Sequence, residues 1–141
     1  MRILAVDPGE KRLGIAISDP MGMIANPLKV IEHISRPIDA ASIAALAAEQ
    51  GAGKIIIGQA LDADDCPTPQ SRRALHLAQA VRQQTSLPVE LWDESGSTQA
   101  ARAAHIAMGG SRRRRQQRGH GHLDDLAATY ILQTYLDAHS S

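Results

Sequence analysis

Three consecutive isoleucines, Ile55-Ile56-Ile57, place the tightest limit on the fold. Side chains on a strand alternate between its two faces, so this run carries branched apolar groups on both. A strand buried on both faces belongs inside a sheet that helices cover, typically beside parallel neighbours. The flanking segments supply those helices. Ser35 and Pro37 open one, with a hydroxyl to cap and a ring that needs no N–H partner. Ile43, Leu46 and Ala47 give it an apolar stripe, and Gly51 ends it. Thr68-Pro69 opens a second helix, whose stripe is Ala74, Leu77, Ala78 and Val81. Pro88 precedes a further short strand, Val89 to Trp92, which closes on Asp93-Glu94.

Upstream, Ile3 to Val6 reads as a buried strand, followed by the polar turn Asp7-Pro8-Gly9-Glu10-Lys11-Arg12 and a second strand, Leu13 to Ser18. Two strands around a short Gly-containing turn predict a hairpin. Asp19-Pro20 and Gly22 make the next turn. The stretch Met23 to Ile34 holds a third strand centred on Leu28, Val30 and Ile31, with Pro27 limiting where it begins. Downstream, Ser97 or Thr98 caps a third helix ending near Gly109-Gly110, and a last helix runs from about Leu123 to Asp137. The order predicts one α/β domain over residues 1–141. Its five-stranded mixed sheet has antiparallel first three strands, then parallel strands, and helices flank it. This is the order of the ribonuclease H-like fold. With no Phe in the chain, the core must be aliphatic.

The single cysteine, Cys66, excludes an internal disulfide and a Cys-rich zinc site. The N-terminal apolar run meets Asp7 too early for a signal peptide, and no run reaches the ~18 apolar residues of a membrane span. A cytoplasmic chain is expected. Net charge is zero, yet its distribution is uneven. Between Ser95 and Leu123 there is no acid, while Arg102, Arg112, Arg113, Arg114, Arg115 and Arg118 all fall there. Arg112 to Arg115 with Arg118 suit phosphate contacts, which are salt-dependent and blind to sequence. Gly119-His120-Gly121-His122 lacks the Cys or second ligand pair of a zinc site.

Asp7 ends the first strand and Glu94 follows the fifth. The carboxyl ends of parallel strands are the usual site in α/β sheets. In the last helix Leu123, Leu126, Ala127, Tyr130, Ile131 and Thr134 share one face at ~100° per residue. Asp124 then flanks that face and Asp125 lies opposite it. Taken singly, Asp7 also serves as a turn former, Asp93-Glu94 as a solvated loop, and Asp124 as a helix-start residue. Taken together, three carboxylates repel one another unless cations lie between them. Mg²⁺ or Mn²⁺ fits an all-oxygen set, and two such ions ~4 Å apart suit phosphodiester hydrolysis.

Along these residues the chain resembles the YqgF/RuvX family, whose members are described as Holliday-junction resolvases and as nucleases that mature pre-16S rRNA. Asp7-Pro8-Gly9-Glu10-Lys11-Arg12-Leu13-Gly14 through Pro20 resembles the first motif, and Leu91-Trp92-Asp93-Glu94 the second. Leu123-Asp124-Asp125-Leu126-Ala127-Ala128 resembles the C-terminal helix. Ile55 to Gly58 and Pro69-Gln70-Ser71-Arg72-Arg73 are similar to the segments between. The resemblance implies that Asp7, Glu94 and Asp124 bind metal and carry catalysis, and that Lys11, Arg12 and Arg73 lie near the phosphate backbone. It implies a metal-dependent endonuclease acting on the 5′ end of pre-16S rRNA, as monomer or homodimer. Cutting of branched DNA is the alternative. Where the family has Arg after its Asp-Glu pair, this chain has Ser95 and then Gly96. That loss of a planar cation supports a further alternative, an inactive nucleic-acid-binding assembly factor. Asp-x-Gly turns also open actin-like sugar kinases. Those place a hydroxyl residue where Glu10 stands, and this chain is too short for two such lobes.

Overall fold

The computed structural model describes residues 1–60, 64, 66–93 and 122–139, with side chains of the last segment from residue 126 onward. Its elements are β1 (Arg2–Pro8), β2 (Arg12–Ser18), β3 (Ala25–Glu32), α1 (Arg36–Glu49), β4 (Ala52–Gln59), α2 (Pro69–Arg82), β5 (Val89–Asp93) and α3 (His122–His139). The helix expected between residues 97 and 110 and the arginine-rich loop lie outside the described residues.

The five strands form one sheet in the order β3-β2-β1-β4-β5. β1 pairs antiparallel with β2 and parallel with β4, and β4 pairs parallel with β5. The isoleucine run thus lies inside the sheet, between two parallel neighbours, as its composition requires. Pro27 stands within β3 rather than at its start, opposite Ala16 and beside a register shift. It is tolerated because β3 is an edge strand, where a missing N–H and a bulge cost least.

Alternation along the strands splits the core in two. Leu4, Val6, Leu13, Ile15, Ile55 and Ile57 face α1 and α2, meeting Ile43, Leu77 and Val81. Ile3, Ala5, Ala16, Ala25 and Ile56 face α3, meeting Ala128, Ile131, Leu132 and Tyr135. The second face is built largely from alanine, so α3 packs close to the backbone. Gly58 completes that face, since a Cβ there would stand 2.5 Å from Ile131 Cδ1 and 3.2 Å from its Cγ1 and Cγ2.

The capping signals read from sequence hold. Ser35 Oγ accepts from the Ile38 N–H, and Gly51, at φ +66°, follows the end of α1. Thr68 and Ser71 form a reciprocal capping box at the start of α2. The Arg82 guanidinium donates to the Val89 carbonyl at 2.8 Å, tying the end of α2 to β5. In the β2–β3 turn, Asp19 accepts from the backbone N–H groups of Met21, Met23 and Ile24.

Two outcomes follow. Gly58→Val should destabilise by about 1–3 kcal/mol through overpacking, measured by urea unfolding. The loss should be less than additive with Ile131→Ala, because the two sites share one contact. The N–H bonds from Ile24 and Met23 hold the Asp19 carboxyl below its ordinary value of 3.8. A lowered folded value means the contribution is complete above that ordinary value and is lost as pH falls through the lower one. The melting difference between wild type and Asp19→Ala should therefore be constant near neutrality and shrink on acidification.

Candidate active site

Asp7 is the sixth residue of β1, and alternation from Ile3 and Ala5 puts it on the α3 face of the sheet. Val6 pairs with Ile57 and Gly58 pairs with Trp92. Asp7, Gly58 and Trp92 therefore form a line across the C-terminal ends of three parallel strands, all on one face. The turn after Asp7 is tightly fixed. The Gly9 N–H donates to the Arg12 carbonyl at 3.0 Å, and a Cβ at Gly9 would lie 2.5 Å from that same oxygen. The His33 N–H donates to the Lys11 carbonyl at 2.9 Å, anchoring the turn to the end of β3.

The basic residues singled out near this turn divide between the two faces. Arg12 alternates with Gly14 and Ala16, on the side of Asp7. Lys11 is exposed at the tip. Arg73 belongs to α2 on the opposite face, where its Nη2 lies 3.5 Å from Glu10 Oε1. Arg112 to Arg115 and Arg118 lie outside the described residues.

Trp92 fixes the end of β5 against α3, a role the sequence reading missed. Its Nε1–H donates to Thr134 Oγ1 at 2.9 Å, and its ring meets Tyr135 edge-on with centroids 5.1 Å apart. Beneath it Lys54 bonds the Tyr135 hydroxyl at 2.5 Å and pairs with Glu90. The Glu90 and Tyr135 hydrogen bonds raise the Lys54 pKa above its ordinary range. Asp93 alternates with Leu91 on the α1/α2 side, whereas Trp92 faces α3. Glu94, two residues beyond Trp92 in sequence, lies outside the described residues.

Asp124 lies in the first turn of α3, and its side chain is not among those described. The face of α3 that meets the sheet differs from the sequence expectation. It is centred on Ala128, Ile131, Leu132 and Tyr135, so Ile131 of the expected stripe lies on it while the centre is about one residue further round. Leu126, Ala127 and Tyr130 are buried as well, so burial extends well beyond one stripe and periodicity alone misplaces its centre. The side chain of Asp125, like that of Asp124, lies outside those described, and the expectation that it lies opposite the sheet falls there too. The two aspartates differ instead in which strands their rows approach. Asp124 shares its row with Ile131 and Tyr135, which meet Gly58 in β4 and Trp92 in β5. Asp125 shares its row with Leu132 and Leu136, on the side of Gln133, whose Oε1 accepts from the Ala25 N–H of β3. Among the described residues no three acids, histidines or cysteines come together as a metal cluster; the side chains of Glu94 and Asp124 lie outside that set.

The sheet order and helix placement define a ribonuclease H-like fold. The fold matches a fowlpox virus resolvase solved with Holliday-junction DNA at a TM-score of 0.61 and 16% identity, covering 100% of both chains. It also matches Thermus thermophilus RuvC with a Holliday-junction substrate at 0.57 and 13%, covering 98% of this chain and 94% of that one. The family model RuvX, described as Holliday junction resolvase, matches residues 1–138, and the chain belongs to that family. A relative from Pelotomaculum thermopropionicum, carrying the provisional name pre-16S rRNA nuclease, is 39% identical over 98% of this chain and 88% of its own length. One of the same name from Syntrophomonas wolfei is 34% identical over 99% and 96%.

Gly9→Ala should displace the Arg12 carbonyl and re-aim the end of β1. Nucleic-acid cleavage should fall at least about tenfold, as expected when a site shifts by a fraction of an ångström, while far-UV circular dichroism stays unchanged.

Proposed function

We propose that this chain is a cytoplasmic endonuclease of one domain that hydrolyses a phosphodiester in precursor 16S rRNA near its 5′ end. Asp7, Glu94 and Asp124 hold divalent metal in this reading. One observation carries it: Asp7 ends the central parallel strand on the face crossed by α3, and Asp124 stands in the α3 row that approaches β4 and β5. The names of the curated relatives support an RNA precursor as substrate.

The donor set fits Mg²⁺ or Mn²⁺, because all three groups are hard carboxylate oxygens. A divalent ion bound there supplies positive charge to the phosphodiester as negative charge develops, and acidifies water. The chain's own residues do the positioning. Gly58 lets α3 close on the strand ends, Trp92 holds β5 against α3, and the fixed turn aims Asp7. Arg12, on the same face, binds the phosphate backbone with a planar fork, and Lys11 adds a mobile charge at the turn tip. The arginine-rich segment adds affinity without reading sequence. Cleavage of branched DNA is a second reading, favoured by the fold shared with resolvases solved on junctions.

The test compares cleavage of a 16S precursor RNA and a four-way DNA junction with Mn²⁺. Asp7→Asn and Asp124→Asn should each lose at least about a hundredfold in rate, the scale on which removing one charge-stabilising group acts. Asp125→Asn should retain activity, and chelation should abolish it. Cleavage by Asp7→Asn at the wild-type rate overturns the site. RNA bound tightly with neither substrate cut indicates a binding factor instead.

A further inference from the structure

A second concave site lies on the other side of the β1–β2 turn, facing α1 and α2. It is a cavity of about 300 Å³. Pro8, Leu13 and Leu77 give it an apolar floor, and Arg36, Arg73 and His33 rim it. A volume at the lower end of small-ligand pockets (~300–1,000 Å³) suits one nucleotide rather than a strand.

The three rim groups differ in how they are held. Asp39, 3% exposed, accepts from the Ile34 N–H at 3.0 Å and contacts His33 Nδ1 through its other oxygen. A buried carboxylate thus orients the ring, leaving Nε2 as its other polar atom. The Arg36 guanidinium has no hydrogen-bond or ion-pair partner among the described residues, although its residue lines the cavity. Among the described residues Arg73 has only Glu10, at 3.5 Å and with the Glu10 side chain 82% exposed. An exposed pair of that length contributes little, so Arg73 is free to exchange partner. Two guanidinium forks above an aliphatic floor match a phosphate joined to a flat ring whose face packs on apolar side chains.

We infer that this cavity binds one nucleoside phosphate, its base against Leu13 and Leu77 and its phosphate between Arg36 and Arg73. The inference rests on the nuclease reading only in taking nucleic acid as the source of that unit. Pro8 and Gly9, in the cavity wall, directly follow Asp7. A strand cut beside Asp7 would need to cross only this turn to place a neighbouring nucleotide here. A free nucleotide has the same chemistry.

The test is a methyl-resolved NMR titration of the full chain, without added metal. The probes are the four nucleoside 5′-monophosphates, 5′-phosphorylated dinucleotides and orthophosphate. Monophosphates should shift the Leu13 and Leu77 methyls, and orthophosphate should shift them less. Arg36→Glu, at an exposed position, should weaken nucleotide binding about tenfold or more, the loss expected for a charge-assisted bond; Arg73→Gln should weaken it also. Tighter binding of the dinucleotide identifies a strand subsite, and equal or weaker binding a free-nucleotide pocket. Asp7→Asn should bind nucleotides as wild type does, so failure of the cleavage site and failure of this cavity are read separately. No nucleotide-induced shift at Leu13 and Leu77, affinity of Arg36→Glu within about twofold of wild type, or loss of binding in Asp7→Asn each overturns the inference.

Discussion

The arrangement depends on how closely α3 lies on the sheet at Gly58. The α1/α2 face is filled by Leu4, Val6, Ile55 and Ile57, whereas the α3 face carries Ala5, Ala16 and Ala25 around Ile3 and Ile56. Large side chains hold α1 and α2 away from the sheet, and small ones let α3 approach it. At Gly58 nothing stands between backbone and helix, and Ile131 occupies the space a Cβ would take. Gly58 is level with Asp7 along the strands, so this close helix–sheet contact falls beside the candidate cleavage site. Catalytic geometry of this kind needs sub-ångström placement. A contact packed without slack supplies it better than a loop would.

The β1–β2 turn divides the surface by the two-residue period of a strand. Asp7 points to the α3 side and Pro8 to the α1/α2 side, where it joins the cavity wall. Consecutive residues thus belong to two different concave regions. The basic residues near the turn follow the same division, with Arg12 beside Asp7 and Arg73 beside the cavity. A single turn, held by the Gly9 and His33 backbone bonds to Arg12 and Lys11, lies between the two regions.

What could be read from sequence was whatever a local rule dictates. The isoleucine run, the hairpin, both helix caps and the Ala74–Leu77–Ala78–Val81 stripe each follow from a few adjacent residues, and all appear as expected. The parallel order of β1, β4 and β5 followed from strand–helix alternation. Local rules failed where tertiary packing decides. Pro27 lies inside β3 because an edge strand forgives it, and edges are not marked in sequence. The centre of the α3 face was misplaced because Leu126, Ala127 and Tyr130 are buried too, which flattens the periodicity. The Asp39–His33 contact with Arg36 and Arg73 was invisible, since Arg73 belongs to α2 and reaches the others only in the fold. Trp92 was legible as a strand residue but not as the clamp between β5 and α3.

The rotated face changes the reason for choosing between the two adjacent aspartates without changing the choice. By sequence, Asp125 was set aside as pointing to water. In the structure the row of that position carries buried Leu132 and Leu136, so burial of the rows does not distinguish the two positions. Direction does. Residues 131 and 135, in the row of Asp124, meet β4 and β5. Gln133, near the row of Asp125, bonds the start of β3 at Ala25. β3 lies two strands from β1 on the antiparallel side of the sheet, whereas β4 lies directly beside β1 on the parallel side. In the proposed site, a cation shared by Asp7 and a residue following β5 would take its third oxygen from the row over the parallel strands, and Asp124 is the acid that the helix register puts in that row.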